Sequence, residues 1–377
     1  MKELVKKYRR DLHRIPEIGH DLYKTHAYVM EHLQKYNCEI TKLCKTGIAA
    51  FFRSKMKQTP AGVKKYTIAL RCDMDALPIK EETNKEYTSI HEGAMHACGH
   101  DGHTAILLAV AGELDKSMHE IPHDVLLIFQ PAEESIGGAK DICDTGILAA
   151  YSVDRIYAYH LWGFMKKNSI GSRPNELMAR SSLLNITIHG KSAHCASAEY
   201  GIDALAIGCE LVCELYKMAE TELPKTEYRL LKFGQMSSGT ARNVISAMTT
   251  LRGTMRCYSD DTFQFLYNRI REIIADFEKK YGCTIDIKQS TGYPALKNDP
   301  DLFEEAKSIL NEFDFQTFEK PFMLSEDFSA YLQVIPGLMM FLGTGTNIPL
   351  HSSNFDFDEE VLVTGVEAYL KLLKNIK

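Results

Sequence analysis

Helix-like and strand-like segments alternate along the first half of this chain, and that alternation restricts the fold more than any other feature. Residues 1–14 carry Leu4, Tyr8 and Leu12 at four-residue spacing. An extended run covers 66–72, a helix follows Gly102, and strands are predicted at 125–130 and 156–160. Such alternation predicts an α/β body with a central sheet flanked by helices. Residues able to bind a cation or move a proton fall just past the apolar runs, at Asp73 and Asp75, Glu133 and Glu134, and His160. Open α/β sheets place their sites at those strand ends.

The pattern changes near Ser181. Leu184, Ile186 and Ile188 alternate as in a half-buried strand, and residues 202–217 read as an amphipathic helix. Leu251, Gly253 and Met255 alternate again, and Phe263, Leu266, Ile270, Ile273 and Phe277 mark a second helix. Residues 181–292 are therefore expected to form an inserted, smaller α+β domain, a sheet of about four strands with two helices. After Gly292, a helix (Leu302, Ala306, Ile309, Phe313), a strand at 338–342 and a last helix (Val361, Val366, Leu370, Leu373) return to the first domain. The expected division is 1–180 with 293–377, and 181–292.

At 377 residues, 45% hydrophobic and 25% charged, the chain can bury a large core, which excludes a disordered or fibrous protein. A net charge of −6 offers no footprint for nucleic acid. No run approaches the roughly 18–20 apolar residues of a membrane span. The opening segment lacks the apolar middle of a signal peptide, and ten cysteines are scattered from Cys38 to Cys283. Reduced thiols and a cytoplasmic location are expected.

The densest chemistry is His96-Ala97-Cys98-Gly99-His100-Asp101-Gly102-His103, at a loop-to-helix junction. Cys98 and His100, one residue apart in a loop made pliable by Gly99, can turn to one cation, with thiolate at about 2.3 Å and imidazole at about 2.0–2.1 Å. A capped helix with a buried thiol is the plainer alternative. Phe129-Gln130-Pro131-Ala132-Glu133-Glu134 ends a strand in adjacent carboxylates, an arrangement that suits metal-assisted hydrolysis if one binds a cation and the other moves a proton. His160 follows a strand, and His351 lies in Leu350-His351-Ser352-Ser353-Asn354. Asp73 and Asp75 alternate about Met74, so both carboxylates are expected to point the same way, orienting histidine ligands or ligating directly. Together these segments could serve two divalent ions. A cysteine hydrolase with Cys98 as nucleophile and a structural metal site in a binding protein are the rival classes.

Nearly end to end, the chain resembles the co-catalytic metallopeptidases that include hippurate hydrolases, N-acyl-amino-acid amidohydrolases, indoleacetyl-amino-acid hydrolases and N-acetyldiaminopimelate deacetylases. The matching segments begin with Arg10-Asp11-Leu12-His13-Arg14-Ile15-Pro16-Glu17-Ile18-Gly19 and Lys45-Thr46-Gly47-Ile48. They continue through the Asp73/Asp75, Cys98/His100 and Glu133/Glu134 segments. Further matches are His160-Leu161-Trp162, Gly190-Lys191-Ser192-Ala193-His194, Arg242-Asn243-Val244-Ile245, Ser325-Glu326-Asp327-Phe328 and the His351 segment.

The resemblance implies a catalytic domain with a mixed sheet and an inserted lid and dimerisation domain. It implies Cys98, His100, Glu134, His160 and His351 as metal ligands, Glu133 as general base and later acid, and Asp75, with Asp73, supporting the ligands from behind. His194 would reach into a partner subunit's site and help hold the oxyanion, in a homodimer. Asn243 and Arg256 would lie near the substrate's carboxylate. The implied activity is metal-dependent amide hydrolysis of N-acyl amino acids, N-acetyl or aromatic acyl, with zinc or manganese, or else cobalt or nickel. N-acetyldiaminopimelate deacetylation, or a dipeptidase or carboxypeptidase activity, is the alternative. The chain departs from the family after His194, where Cys195-Ala196-Ser197-Ala198-Glu199-Tyr200 puts Glu199 in place of the usual histidine, and at Cys72 and Arg180-Ser181-Ser182.

Overall fold

The computed structural model spans residues 1–377 and describes all of them except Thr59, Ile136 and Thr291. It divides into two compact units. The first comprises Met1–Leu177, Lys297–Lys320 and Glu326–Lys377, and the second Met178–Leu296 with Pro321–Ser325.

Among its described residues the first unit carries an eight-stranded sheet. Its order is Glu39–Leu43, Gly47–Phe52, Asp124–Gln130, Thr67–Asp73, Arg155–Trp162, Gly337–Gly343, Ile170–Ser172 and Gln316–Thr317. Thr67–Asp73 runs parallel to Asp124–Gln130 and Arg155–Trp162, and Gly337–Gly343 parallel to Arg155–Trp162, whereas Gly47–Phe52 is antiparallel to both neighbours. The sheet is therefore mixed, as the sequence reading expects. Thr67–Asp73, Asp124–Gln130 and Gly337–Gly343 are buried at every position. Both faces are covered there, which is why these strands read as continuous apolar runs and not as alternation. Parallel register sets Asp73 beside Gln130, so the strand ends that carry polar residues gather at one edge.

The helix Lys2–His13 packs on His100–Ser117 and buries Val5, Tyr8, Arg9, Leu12 and His13. Leu4, expected on that inner stripe, is 41% exposed. A turn of 3.6 residues puts 5, 8, 9 and 12 on one face, and the strict four-residue spacing drifts off it. His100–Ser117 begins three residues before the expected start and is buried almost all round as far as Gly112. Residues such as Leu107, Leu108 and Val110 each contribute about 1.5–3 kcal/mol by leaving water.

In the second unit the strands Arg180–His189, Arg229–Ser238, Met248–Cys257 and Thr284–Gln289 form an antiparallel sheet, and the helices Ala204–Thr221 and Asp260–Tyr281 pack with it. Asp203 caps the first helix by accepting from the Leu205 and Ala206 amides, and Ser259 caps the second through the Thr262 amide. Leu184, Ile186 and Ile188 turn into a core with Leu211, Leu215, Leu266 and Ile270. The α/β body and the four-stranded α+β unit match the fold class read from sequence.

Candidate metal centre

Gly99 ends the loop before His100–Ser117 with φ 87°, in the left-handed region where a side chain is strained. A Cβ there would also stand 2.9 Å from Leu161 Cδ1. This tight entry brings Cys98 and His100 to His160, one donor atom of each lying within 4.8 Å of the others. His160 sits near the end of the Arg155–Trp162 strand. Its Nδ1 donates to the Leu161 carbonyl at 2.8 Å, which leaves Nε2 as a lone-pair donor 3.5 Å from Cys98 Sγ.

The two glutamates follow the Asp124–Gln130 strand on a shaped loop. Ala132 adopts φ 63°. The Gly137 and Gly138 amides close onto the Ala132 carbonyl at 3.1 and 3.2 Å. Any side chain at Gly138 would drive a Cβ to 1.9 Å from the Pro131 carbonyl oxygen. The Asp75 carboxylate then clamps the loop, Oδ1 accepting from the Glu133 amide and Oδ2 from the Glu134 amide, each at 3.0 Å. Backbone strain of about 1–3 kcal/mol at Ala132 is held in place by these contacts. His351 is also left-handed, φ 63°. Its amide donates to Ala97 O at 2.9 Å, and its Nε2 comes 3.0 Å from Glu134 Oε1.

Asp73 and Asp75 approach His100 from different ring nitrogens, Asp73 at 3.8 Å from Nε2 and Asp75 at 3.4 Å from Nδ1. The expected common direction holds only to that extent, because the strand ends at Asp73 and Asp75 lies beyond the pleat. His103 joins the cluster: its Nδ1 donates to Asp73 at 2.6 Å and its Nε2 accepts from the Leu161 amide at 2.9 Å.

Charge divides the neighbouring glutamates. Burial, reinforced by Glu326 and Glu134, pushes Glu133 well above the carboxylic range, whereas His351 and His100 outweigh burial and hold Glu134 below it. Burial pushes His160 down to about 3, while at His100 the facing Asp73 and Asp75 overcome burial and push it up to about 10. Burial and the Glu134 and Glu133 charges push the Cys98 thiol well up. That is the reverse of an activated thiolate, and it counts against Cys98 as a nucleophile.

The cluster fits a divalent cation. His100 Nε2 is buried and, among the described residues, makes no hydrogen bond. It faces Glu134 Oε1 at 3.9 Å, too long for a hydrogen bond and close to the roughly 3–4 Å that separates two atoms ligating one ion. Cys98, Glu134 and His351 form a second such group and His100, Glu133 and Glu134 a third. Thiolate, imidazole and carboxylate donors from four separate segments thus meet around one edge of the sheet.

His194, Asn243 and Arg256 belong to the second unit. His194 is exposed, and its Nδ1 accepts from the Ala196 amide at 3.1 Å. The Asn243 carbonyl accepts from the Cys195 amide at 3.0 Å, and Arg256 donates to the Met323 carbonyl.

Sequence reasoning missed the side chain that organises the space behind the glutamates. Arg71 is fully buried and donates to Gln130 Oε1 at 2.9 Å, Asp73 Oδ2 at 2.6 Å, Glu326 Oε1 at 3.0 Å and Asp327 Oδ1 at 2.8 Å. The available signal was an arginine inside an otherwise apolar strand, which in a sheet covered on both faces requires buried carboxylates.

The sequence profile of peptidase family M20/M25/M40 matches residues 69–375. The N-acetyldiaminopimelate deacetylase of Shouchella clausii is 35% identical over 373 residues, covering 98% of this chain and 97% of that protein. Thermostable carboxypeptidase 1 of Saccharolobus solfataricus is 32% identical over 372 residues, covering 97% and 93%. The solved structure of the Bacillus subtilis YXEP protein, described as a dinuclear metal binding peptidase from the M20 family, superposes with a TM-score of 0.85 at 28% identity, covering 99% of this chain and 97% of that one. The chain is thus a hydrolase acting on carbon–nitrogen bonds, and it belongs to peptidase family M20/M25/M40.

Proposed function

We propose that this hydrolase cleaves the amide bond of N-acyl amino acids, releasing a carboxylic acid and a free amino acid. The observation that carries the reading is the convergence of Cys98, His100, Glu134, His160 and His351 beside a second, differently poised carboxylate, Glu133. Those five side chains are assigned as ligands for two divalent ions, zinc or manganese being suited to mixed sulfur, nitrogen and oxygen donors. When bound, such ions acidify water and polarise a carbonyl. Asp75 fixes the loop that carries Glu133 and Glu134, and Asp73 faces His100.

Glu133 is assigned as the base that takes a proton from the attacking water and returns it to the leaving amine. His194 is assigned the oxyanion, from a partner subunit, on the family resemblance. With its Nδ1 accepting from the Ala196 amide, Nε2 is the ring nitrogen left to donate. Asn243 and Arg256 are assigned to the substrate's carboxylate. The second unit, taken as a lid and dimerisation domain, supplies these three residues. Ten free cysteines suit a cytoplasmic location.

A narrower reading, N-acetyldiaminopimelate deacetylation, is favoured by the relatives of that name at 32–35% identity. A panel of N-acetyl, N-benzoyl and dipeptide substrates, with N-acetyldiaminopimelate included, separates these readings. Amine release should require added zinc or manganese and stop on chelation. A panel on which the metal-loaded protein releases no amine from any N-acyl amino acid would refute the proposal.

A further inference from the structure

Thr67–Asp73 and Arg155–Trp162 carry two walls of the metal cluster, and they are paired as strands from Ile68 with Arg155 up to Arg71 with Ala158. Asp73 and His160 each lie two residues beyond that last pair, where the ladder has opened. His103 spans the opening. Buried on the first turn of the helix His100–Ser117, it donates from Nδ1 to Asp73 Oδ1 at 2.6 Å, and the Leu161 amide donates to its Nε2 at 2.9 Å. Thr104, next along the helix, donates from Oγ1 to the Asp73 carbonyl at 2.9 Å. The helix start is thereby fastened to both strands.

Ring contacts set this crossbar against two assigned ligands. The His103 ring centroid lies 5.4 Å from that of His100 at an interplanar angle of 30°, and 4.9 Å from that of His160 at 69°. His100 sits three residues earlier on the same helix face, and His160 directly precedes Leu161. A displacement of His103 is therefore passed to the imidazoles on both sides. One donor atom each of Asp73, His100 and His103 lie within 4.8 Å of one another, so the spacing alone would allow His103 to be a ligand. Its bonds argue otherwise. A backbone amide can only donate, so the Nε2 lone pair is committed to Leu161, while Nδ1 is held on a carboxylate. Neither nitrogen is left for an ion.

We propose that His103 is a positioning residue for the metal centre: it bridges Asp73 and Leu161 where the two strands part, and so holds His100 and His160 at the separation at which they bind the ions. This rests on the assignment of those two histidines as ligands. A side chain that touches the ligands and not the ion sets affinity through the geometry it imposes.

The test measures zinc affinity by chelator competition, the number of ions bound at saturation and the metal-free Tm in the parent, His103→Leu and His103→Gln. Leucine removes both bonds, whereas glutamine keeps a donor and an acceptor on one planar group. His103→Leu should bind the parent's number of ions at saturation but about 10–100-fold more weakly, and His103→Gln should stay within about threefold of the parent. Parental affinity in His103→Leu overturns the proposal, and so does His103→Gln falling as far as His103→Leu. A weakening seen only at temperatures where metal-free His103→Leu is already unfolded overturns it too. An ion lost outright at saturation in both variants would make His103 a ligand, which also overturns it. If His103→Leu does not fold, His103→Phe replaces it: the ring stays and both bonds go, so weaker zinc binding supports the proposal and parental affinity overturns it. Parental zinc affinity and ion number in His100→Ala would instead remove the ligand assignment on which the proposal stands.

Discussion

Two fully buried arginines, Arg9 and Arg71, hold carboxylates together in different ways. Arg9, on the first helix, donates to Asp101 at 2.8 Å and Asp356 at 2.8 Å and lies 3.6 Å from Glu359. Further cations assist it: His13 at 2.7 Å from Asp101, Lys85 at 3.1 Å from Asp356 and Arg10 at 2.7 Å from Glu359. Although burial opposes it, Arg9 with His13 holds Asp101 well below the ordinary range, and Arg9 with Lys85 lowers Asp356. Around Arg71 the carboxyls split: His100, His103 and Arg71 outweigh burial and hold Asp73 well below the ordinary range, whereas at Glu326 and Asp327 burial wins and both are pushed up. Matched charge fastens a helix in place, whereas a surplus of carboxyls leaves a titratable group where a proton must move.

The largest expected effect lies on the Arg71 side. Glu133→Ala should retain metal and fold normally while losing turnover by about 10²–10⁴-fold, measured by amine release at saturating metal. Near-normal turnover would mean that the surplus carboxyls have no catalytic use. On the matched side the expectation is reversed. Arg9→Met leaves Asp101 buried without its main partner and should cost about 3–5 kcal/mol in urea unfolding, with turnover per folded molecule unchanged. A loss of turnover without a loss of stability would erase the distinction between the two networks.

The smallest effect is a pH dependence at His13. Burial depresses it, but Asp101 and Glu81 outweigh burial, so its pKa is raised in the folded chain. A raised pKa gives stability that is fully present below the unfolded value of about 6.5 and is lost as pH rises through the folded value. Tm should therefore decline on the alkaline side of about pH 6.5, and His13→Gln should flatten that decline. An unchanged slope in His13→Gln would place the dependence elsewhere.

What the sequence discloses follows from how local each signal is. Cys98 and His100, or Glu133 and Glu134, are recognisable because donors adjacent in the chain already constrain one another's directions. The parallel strands are recognisable because burial on both faces writes an unbroken apolar run. Arg71 shows in sequence only as a charge within an apolar strand, and two of its partners, Glu326 and Asp327, lie 255 and 256 residues away, where only the fold unites them. Those two residues appear in sequence only as part of a matching segment without a role. The Leu4-for-Val5 exchange has a simpler cause: a single exposed leucine costs little, so helix phase is fixed by the buried Tyr8, Arg9 and Leu12.

The most direct test of the account is the metal content of the purified chain after zinc or manganese loading and exhaustive dialysis. The account predicts about two ions per chain in the parent and in Glu133→Ala, and a loss of bound metal in Glu134→Ala and His351→Ala. Glu134→Ala and His351→Ala retaining the parent's full content would contradict it.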